Sequence, residues 1–110
     1  MNTITTFKQI KEIIEPIPAD QFCKGFYYNY KGQCCFLGHI NKHISGDTMA
    51  CGGGFGARWL TRRFLEDVHN INNDGSAIND LATINGYTEP IIKDRLMRMI
   101  EDGIKWEENK

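Results

Sequence analysis

The stretch Phe7-Lys8-Gln9-Ile10-Lys11-Glu12-Ile13-Ile14-Glu15-Pro16 decides the class of fold. Its apolar residues Phe7, Ile10, Ile13 and Ile14 recur at three-to-four spacing while Lys8, Lys11, Glu12 and Glu15 take the other side, the pattern of an amphipathic helix. Pro16 ends it, and Ile17-Pro18-Ala19-Asp20 makes a short connection, because a residue before proline is pushed out of the helical region. The helical period returns further along the chain. Phe36, Ile40 and Ile44 fall at helical spacing with Gly46 placed as a stop, and Ala57 to Asn70 carries Leu60, Phe64 and Val68. The last helix has Thr88 as N-cap, Glu89 and Pro90 in its first turn, Ile92, Leu96, Met99 and Ile100 facing inward, and an end near Gly103.

Between these helices, Phe22 to Tyr30 is dense in aromatic residues and Lys31-Gly32-Gln33 supplies a turn signal, which fits a short strand, a hairpin or an irregular segment. Asn70 to Gly75 reads as a turn, and Ser76 is placed to cap a short helix over Ala77 to Ala82. The sequence thus predicts a mainly α fold of three to four helices with a short β or irregular aromatic segment, in a single compact domain over residues 1–110.

Composition narrows the function classes. The chain has 110 residues, 41% hydrophobic and 25% charged, as in an ordinary globular domain rather than a disordered one. No apolar run approaches the ~20 residues a membrane span needs, and Met1 to Lys8 lacks the features of a signal peptide, so no membrane association and a cytoplasmic location are expected. In that compartment Cys23, Cys34, Cys35 and Cys51 are expected as free thiols packed as small apolar groups. The net charge of −1 conceals a division: Gln21 to Arg63 holds six bases and one acid, whereas Phe64 to Lys110 holds ten acids and five bases. An anionic partner is expected to meet the middle third. Duplex nucleic acid is not expected, since that needs a basic excess over the whole domain.

The basic third contains Cys51-Gly52-Gly53-Gly54-Phe55-Gly56-Ala57-Arg58-Trp59-Leu60-Thr61-Arg62-Arg63. Glycines let a backbone come close to a ligand, and the first-turn N–H groups of a helix have no partner within it. A glycine stretch running into a helix therefore suits an anion, with Arg58, Arg62 and Arg63 as forked donors to phosphate or carboxylate oxygens. It is neither a Walker loop, lacking Gly-Lys-Ser/Thr, nor a dinucleotide fingerprint, lacking the spacing. The competing account is a glycine-rich loop before a helix whose arginines are solvated or paired with Glu66 and Asp67. Tyr27, Tyr28 and Trp59 supply planar groups for a nucleobase, where stacking contributes ~1–3 kcal/mol per base, although such rings also build cores.

His39 and His43, four apart with Cys35 one turn back, are compatible with a metal site or a Cys/His nucleophile pair, but the paired Cys-x-x-Cys and the intervening Glu of strong zinc signatures are missing. Asn70-Ile71-Asn72-Asn73-Asp74-Gly75 lacks the alternating acids and closing Glu of a calcium loop. No metal and no cofactor are expected.

Cys34-Cys35-Phe36-Leu37-Gly38-His39-Ile40, Ile84-Asn85-Gly86 and the helix beginning Ile92-Lys93-Asp94-Arg95-Leu96-Met97 resemble a family of small uncharacterised bacterial and bacteriophage domains. Those domains have an initial helix, a Cys-(Leu/Phe)-Gly helix start, a late Asn-Asp or Asn-Gly turn and a terminal amphipathic helix. The resemblance covers about Thr6 to Ile104, leaves out the Gly52 to Gly56 loop, and implies no activity. By analogy of size and site type alone, the chain is also similar to viral proteins that sequester nucleotide immune signals, which favours binding over catalysis.

The function expected is non-enzymatic capture of a phosphate-bearing, nucleotide-like small molecule, with sequestration of a signalling nucleotide as its most concrete version. Gly52, Gly53, Gly54, Phe55, Gly56, Arg58, Trp59, Arg62, Arg63, Tyr27 and Tyr28 would form the site, and a homo-oligomer is expected because so small a protomer offers little depth. The alternatives are a protein-interaction or inhibitor module using the same basic-aromatic surface, and a small Cys/His or zinc-dependent enzyme.

Overall fold

The computed structural model describes residues 4–23, 29–46, 55–70 and 92–110. Their order is helix α1 (Phe7–Ile14), a 3-10 turn (Ala19–Gln21), α2 (Phe36–Ser45), α3 (Phe55–His69) and α4 (Ile92–Glu108). The expected mainly α architecture is what these residues build. The short helix over Ala77 to Ala82, the turn over Asn70 to Gly75 beyond its first residue, Asn85-Gly86, and the Thr88 cap with Pro90 lie outside the described residues.

Helix α1 starts in a capping box. The Thr6 hydroxyl accepts from the Gln9 N–H at 3.3 Å, and the Gln9 side-chain carbonyl accepts from the Thr6 N–H at 3.0 Å. Phe7, Ile10, Ile13 and Ile14 are buried, as their spacing predicts. The chain leaves the helix at Glu15 and enters the 3-10 turn behind Pro18.

α4 lies antiparallel to α1. Phe7 at the start of α1 meets Gly103 and Glu107 near the end of α4, Lys11 bridges to Glu101 at 2.9 Å, and Lys93 near the start of α4 donates to the Glu15 carbonyl at 2.8 Å. The Glu101 carboxylate, by hydrogen bond and by charge, raises the pKa of Lys11 above its ordinary range. The Glu107 carboxylate accepts from the Phe7 N–H at 2.6 Å. That N–H belongs to the first turn of α1 and has no intrahelical partner, so a residue a hundred positions away supplies the cap and sits at the positive end of the helix dipole.

Gly103 does not end α4, which continues to Glu108. A Cβ at Gly103 would stand 2.6 Å from three carbons of the Phe7 ring, so this glycine serves a close helix-helix approach rather than a stop. The ring is fully buried and edge-on to Phe64 (centroids 5.3 Å apart) and Trp106 (6.2 Å), where α1, α3 and α4 meet. Leu96, Met99 and Ile100 join this core from α4, and Leu60, Phe64 and Leu65 from α3.

The aromatic segment is held at its two ends. The Cys34 N–H donates to the Gln21 carbonyl and the Cys23 N–H to the Cys34 carbonyl, both at 3.0 Å, giving one parallel bridge between Phe22 and Cys34. The turn before α2 is organised by Asn29, whose Oδ1 accepts from the Lys31 N–H at 3.0 Å and the Gln33 N–H at 2.9 Å while Gly32 takes φ +80°. Cys35 is the N-cap of α2, its sulfur accepting from the Gly38 N–H. Gly46 closes α2 in the left-handed region and returns its N–H to the Lys42 carbonyl at 2.8 Å, the stop its sequence position predicts. Asn70, with φ 55°, follows α3 in the same way.

Gly103→Ala is expected to lower stability by about 1–3 kcal/mol, the overpacking at Phe7 exceeding the gain in helix propensity. Urea unfolding checks this, and an unchanged midpoint would refute the close contact. Glu107→Ala is expected to cost about 1–2 kcal/mol by orphaning the Phe7 N–H, with the loss showing in hydrogen exchange at the start of α1.

Candidate functional site

The glycine stretch runs into α3, which Phe55 opens. Gly52, Gly53 and Gly54 lie outside the described residues, as do Tyr27 and Tyr28. Gly56 occupies the first turn, where a Cβ would collide with the Ile4 carbonyl oxygen and stand 3.1 Å from that residue's N and C atoms. Packing of the N-terminal segment therefore accounts for a glycine at this position on its own.

One turn on, the helix presents its cations and a ring. Trp59 leaves 60% of its surface to solvent, and the Arg62 guanidinium carbon lies 5.7 Å from the indole centroid. Arg62 Nε also reaches Glu66 Oε1 at 3.3 Å, so Trp59, Arg62 and Glu66 form a strip at i, i+3 and i+7. Arg58 lies half-buried one turn before Arg62, and Arg63 is exposed. Beneath the strip, Ala57, Leu60, Thr61, Phe64 and Leu65 are buried, with the Thr61 hydroxyl bonded back to the Ala57 carbonyl. The structure thus brings Trp59 and Arg62 into contact, with Arg58 and Arg63 on neighbouring turns of the same helix. Half-exposed side chains make the Arg62–Glu66 pair worth only ~0.3–0.5 kcal/mol, so an incoming anion can compete for the guanidinium at little cost.

Of the aromatic segment, the described rings divide between core and solvent. Phe22 is buried with its ring 4.5 Å from that of His39, whereas Tyr30 is 92% exposed with Lys31 5.8 Å from its centroid. His39 is buried and its Nε2 lies 2.8 Å from the Gln21 carbonyl oxygen. A carbonyl only accepts, so Nε2 carries the proton and donates. Burial pushes the His39 pKa below its ordinary 6.5, the bond to Gln21 works the other way and Lys42 lowers it further, so the ring is neutral. His43, four residues on, is exposed. Burial raises the pKa of the Cys34 and Cys35 thiols, opposite to what a nucleophile needs. Cys23, Cys34 and Cys35 are buried thiols outside any disulfide among the described residues, the apolar packing expected of them, and Cys51 lies outside the described residues. Among the described residues no group of three or more His, Cys, Asp or Glu is placed to hold a metal ion, and no helix is long and apolar enough to cross a membrane.

The pairing of an arginine with Glu66 is seen, Arg62 reaching it at i, i+4 spacing, whereas Asp67 accepts from the Trp106 Nε1–H. A cleft between the last turns of α3 and α4, about 450 Å³ in volume, has Trp106 and Asp67 on its wall and left no local sequence signature.

Comparison with protein-family models, curated proteins and solved structures finds no match for this chain.

His39 makes stability pH-dependent. Its folded-state pKa lies below the unfolded value of 6.5, so the unfolded chain binds more protons as pH falls through that value. The stabilisation is fully present above pH 6.5 and is lost as pH falls towards the folded pKa. Urea midpoints between pH 7.5 and 5 are expected to fall less steeply in His39→Gln than in the parent, and parallel slopes would contradict a neutral buried imidazole.

Proposed function

We propose that this chain is a non-enzymatic binding protein that captures a phosphate-bearing, nucleotide-like small molecule at the start of α3. The observation that carries this reading is the exposed Trp59 ring with the Arg62 guanidinium beside it, in the helix that begins directly after the glycine stretch. The indole offers a face for a base, and Arg62, with Arg58 and Arg63, offers charge to phosphates. The dipole of α3 favours an anion at the same end, and Gly52, Gly53 and Gly54 are assigned to close backbone access from their sequence alone, whereas Gly56 is taken up by the packing of Ile4. Phe55 belongs to this first turn, and Tyr27 and Tyr28 are assigned to base stacking from their sequence alone.

In its most concrete form the chain sequesters a nucleotide immune signal, as a viral anti-defence protein would, in the cytoplasm and as a homo-oligomer. Three buried thiols outside any disulfide among the described residues support a reducing compartment. Binding is expected to displace Glu66 from Arg62, so Glu66→Gln tightens it and added salt weakens it.

Calorimetric titration with cyclic and linear nucleotides, followed by Trp59 fluorescence, tests the assignment. Arg62→Ala is expected to weaken binding about ten-fold, which corresponds to about 1.4 kcal/mol, and Trp59→Ala to abolish the base preference. Absence of nucleotide binding, or binding indifferent to both changes, sinks it. The second reading, a protein-interaction module, draws on the same exposed Trp59 together with the 92% exposed Tyr30, residue types that anchor protein interfaces. A stoichiometric protein partner that Trp59→Ala releases, without nucleotide binding, would favour it.

A further inference from the structure

The cleft at the far end of α3 has a different chemistry and does not rest on the nucleotide reading. It is formed by the C-terminal halves of α3 and α4, is open to solvent and has a volume of about 450 Å³. Val68 lines its apolar side and is 50% exposed, with no described element covering it, and the fully buried Phe64 ring backs the wall. Trp106 is held rigidly in the wall. Its Nε1–H donates to Asp67 Oδ2 at 2.5 Å, and its ring packs edge-on to Phe64 at 5.6 Å and Phe7 at 6.2 Å.

One face of that fixed indole already carries a cation. The Lys110 ammonium sits 3.9 Å from the ring centroid, the geometry of a strong cation–π contact. The surrounding field suits positive charge, because α3 ends at His69 and α4 at Glu108, and helix C-termini are partially negative. The carboxylates of Asp67 and Asp102 also line the cleft, balanced by Lys105 and by Lys110 itself. Among the described residues the Lys110 ammonium is held by its contact with the exposed side of the ring, which makes it the exchangeable member of the set.

We propose that this cleft binds a small organic cation with an aliphatic stem, an alkylamine or polyamine, whose ammonium takes the place of Lys110 over Trp106. The stem lies against Val68, and the Asp102 carboxylate adds negative charge beside it. Lys110 thus acts as the chain's own competitor for the seat.

The test uses spermidine and butylammonium chloride, with sodium chloride at matched ionic strength as control. The chain has two tryptophans, so Trp59→Phe leaves Trp106 as the only indole reporter. A saturable change in its fluorescence is expected with both amines and not with sodium. In the same background Lys110→Ala is expected to tighten binding roughly two- to five-fold, the contribution of one cation–π contact, and Asp102→Asn to weaken it. Circular dichroism melts confirm that both variants fold. No saturation by about 10 mM amine, a Lys110→Ala affinity equal to or weaker than the parent's, or indifference to Asp102→Asn would each overturn the proposal.

Discussion

A missing side chain at Gly103 lets the start of α1 meet α3 and α4 together. Because Gly103 has no Cβ, the Phe7 ring lies directly on the backbone of α4, and α1 approaches that helix more closely than any larger residue permits. From that point the ring reaches Phe64 of α3 and Trp106 of α4, and the start of α1 comes within reach of the Glu107 carboxylate. The antiparallel register follows, and Lys11–Glu101 and Lys93–Glu15 extend it along the pair. A second bare Cα, at Gly56, seats the start of α3 against Ile4, three residues before the Phe7 ring. Both contacts involve the N-terminal segment, so the packing that holds Phe7 also places the first turn of α3.

This arrangement gives α3 two ends of opposite character. Its first half carries Arg58 and the exposed Trp59, with Arg62 and Arg63 at its midpoint, whereas its last turn shares the cleft with the end of α4. Each region has a resident group that a ligand must displace, Glu66 from Arg62 in the one and Lys110 from Trp106 in the other.

The parts legible in the sequence are those whose cause is local. The 3.6-residue period of Phe7, Ile10, Ile13 and Ile14 names the buried face of α1, Gly46 and Asn70 terminate α2 and α3 through left-handed backbone, and Lys31-Gly32-Gln33 marks a turn. Thr6 and Gln9 were equally readable as a capping box. Within the candidate site, the common helix of Arg58, Trp59, Arg62 and Arg63 follows from spacing alone. The pairing of Arg62 with Glu66 follows too, because helical neighbours are set by geometry and not by the fold.

Tertiary structure decided whatever depends on a partner distant along the chain. A glycine reads the same whether it ends a helix, cradles a ligand or admits a neighbouring ring, and only the contacts with Phe7 and Ile4 separate those uses at Gly103 and Gly56. His39 and His43 look alike in sequence, yet one is buried on the Gln21 carbonyl and the other faces water. Trp106 carried no signal beyond its size until Asp67, Phe64 and Lys110 surrounded it. The sequence by itself determined where the helices form and which faces are apolar, since both follow from interactions within a few residues. Which glycines are contact points, which histidine is neutral and where the cleft opens were decided by packing, because burial and approach distance belong to pairs of elements and not to any segment alone.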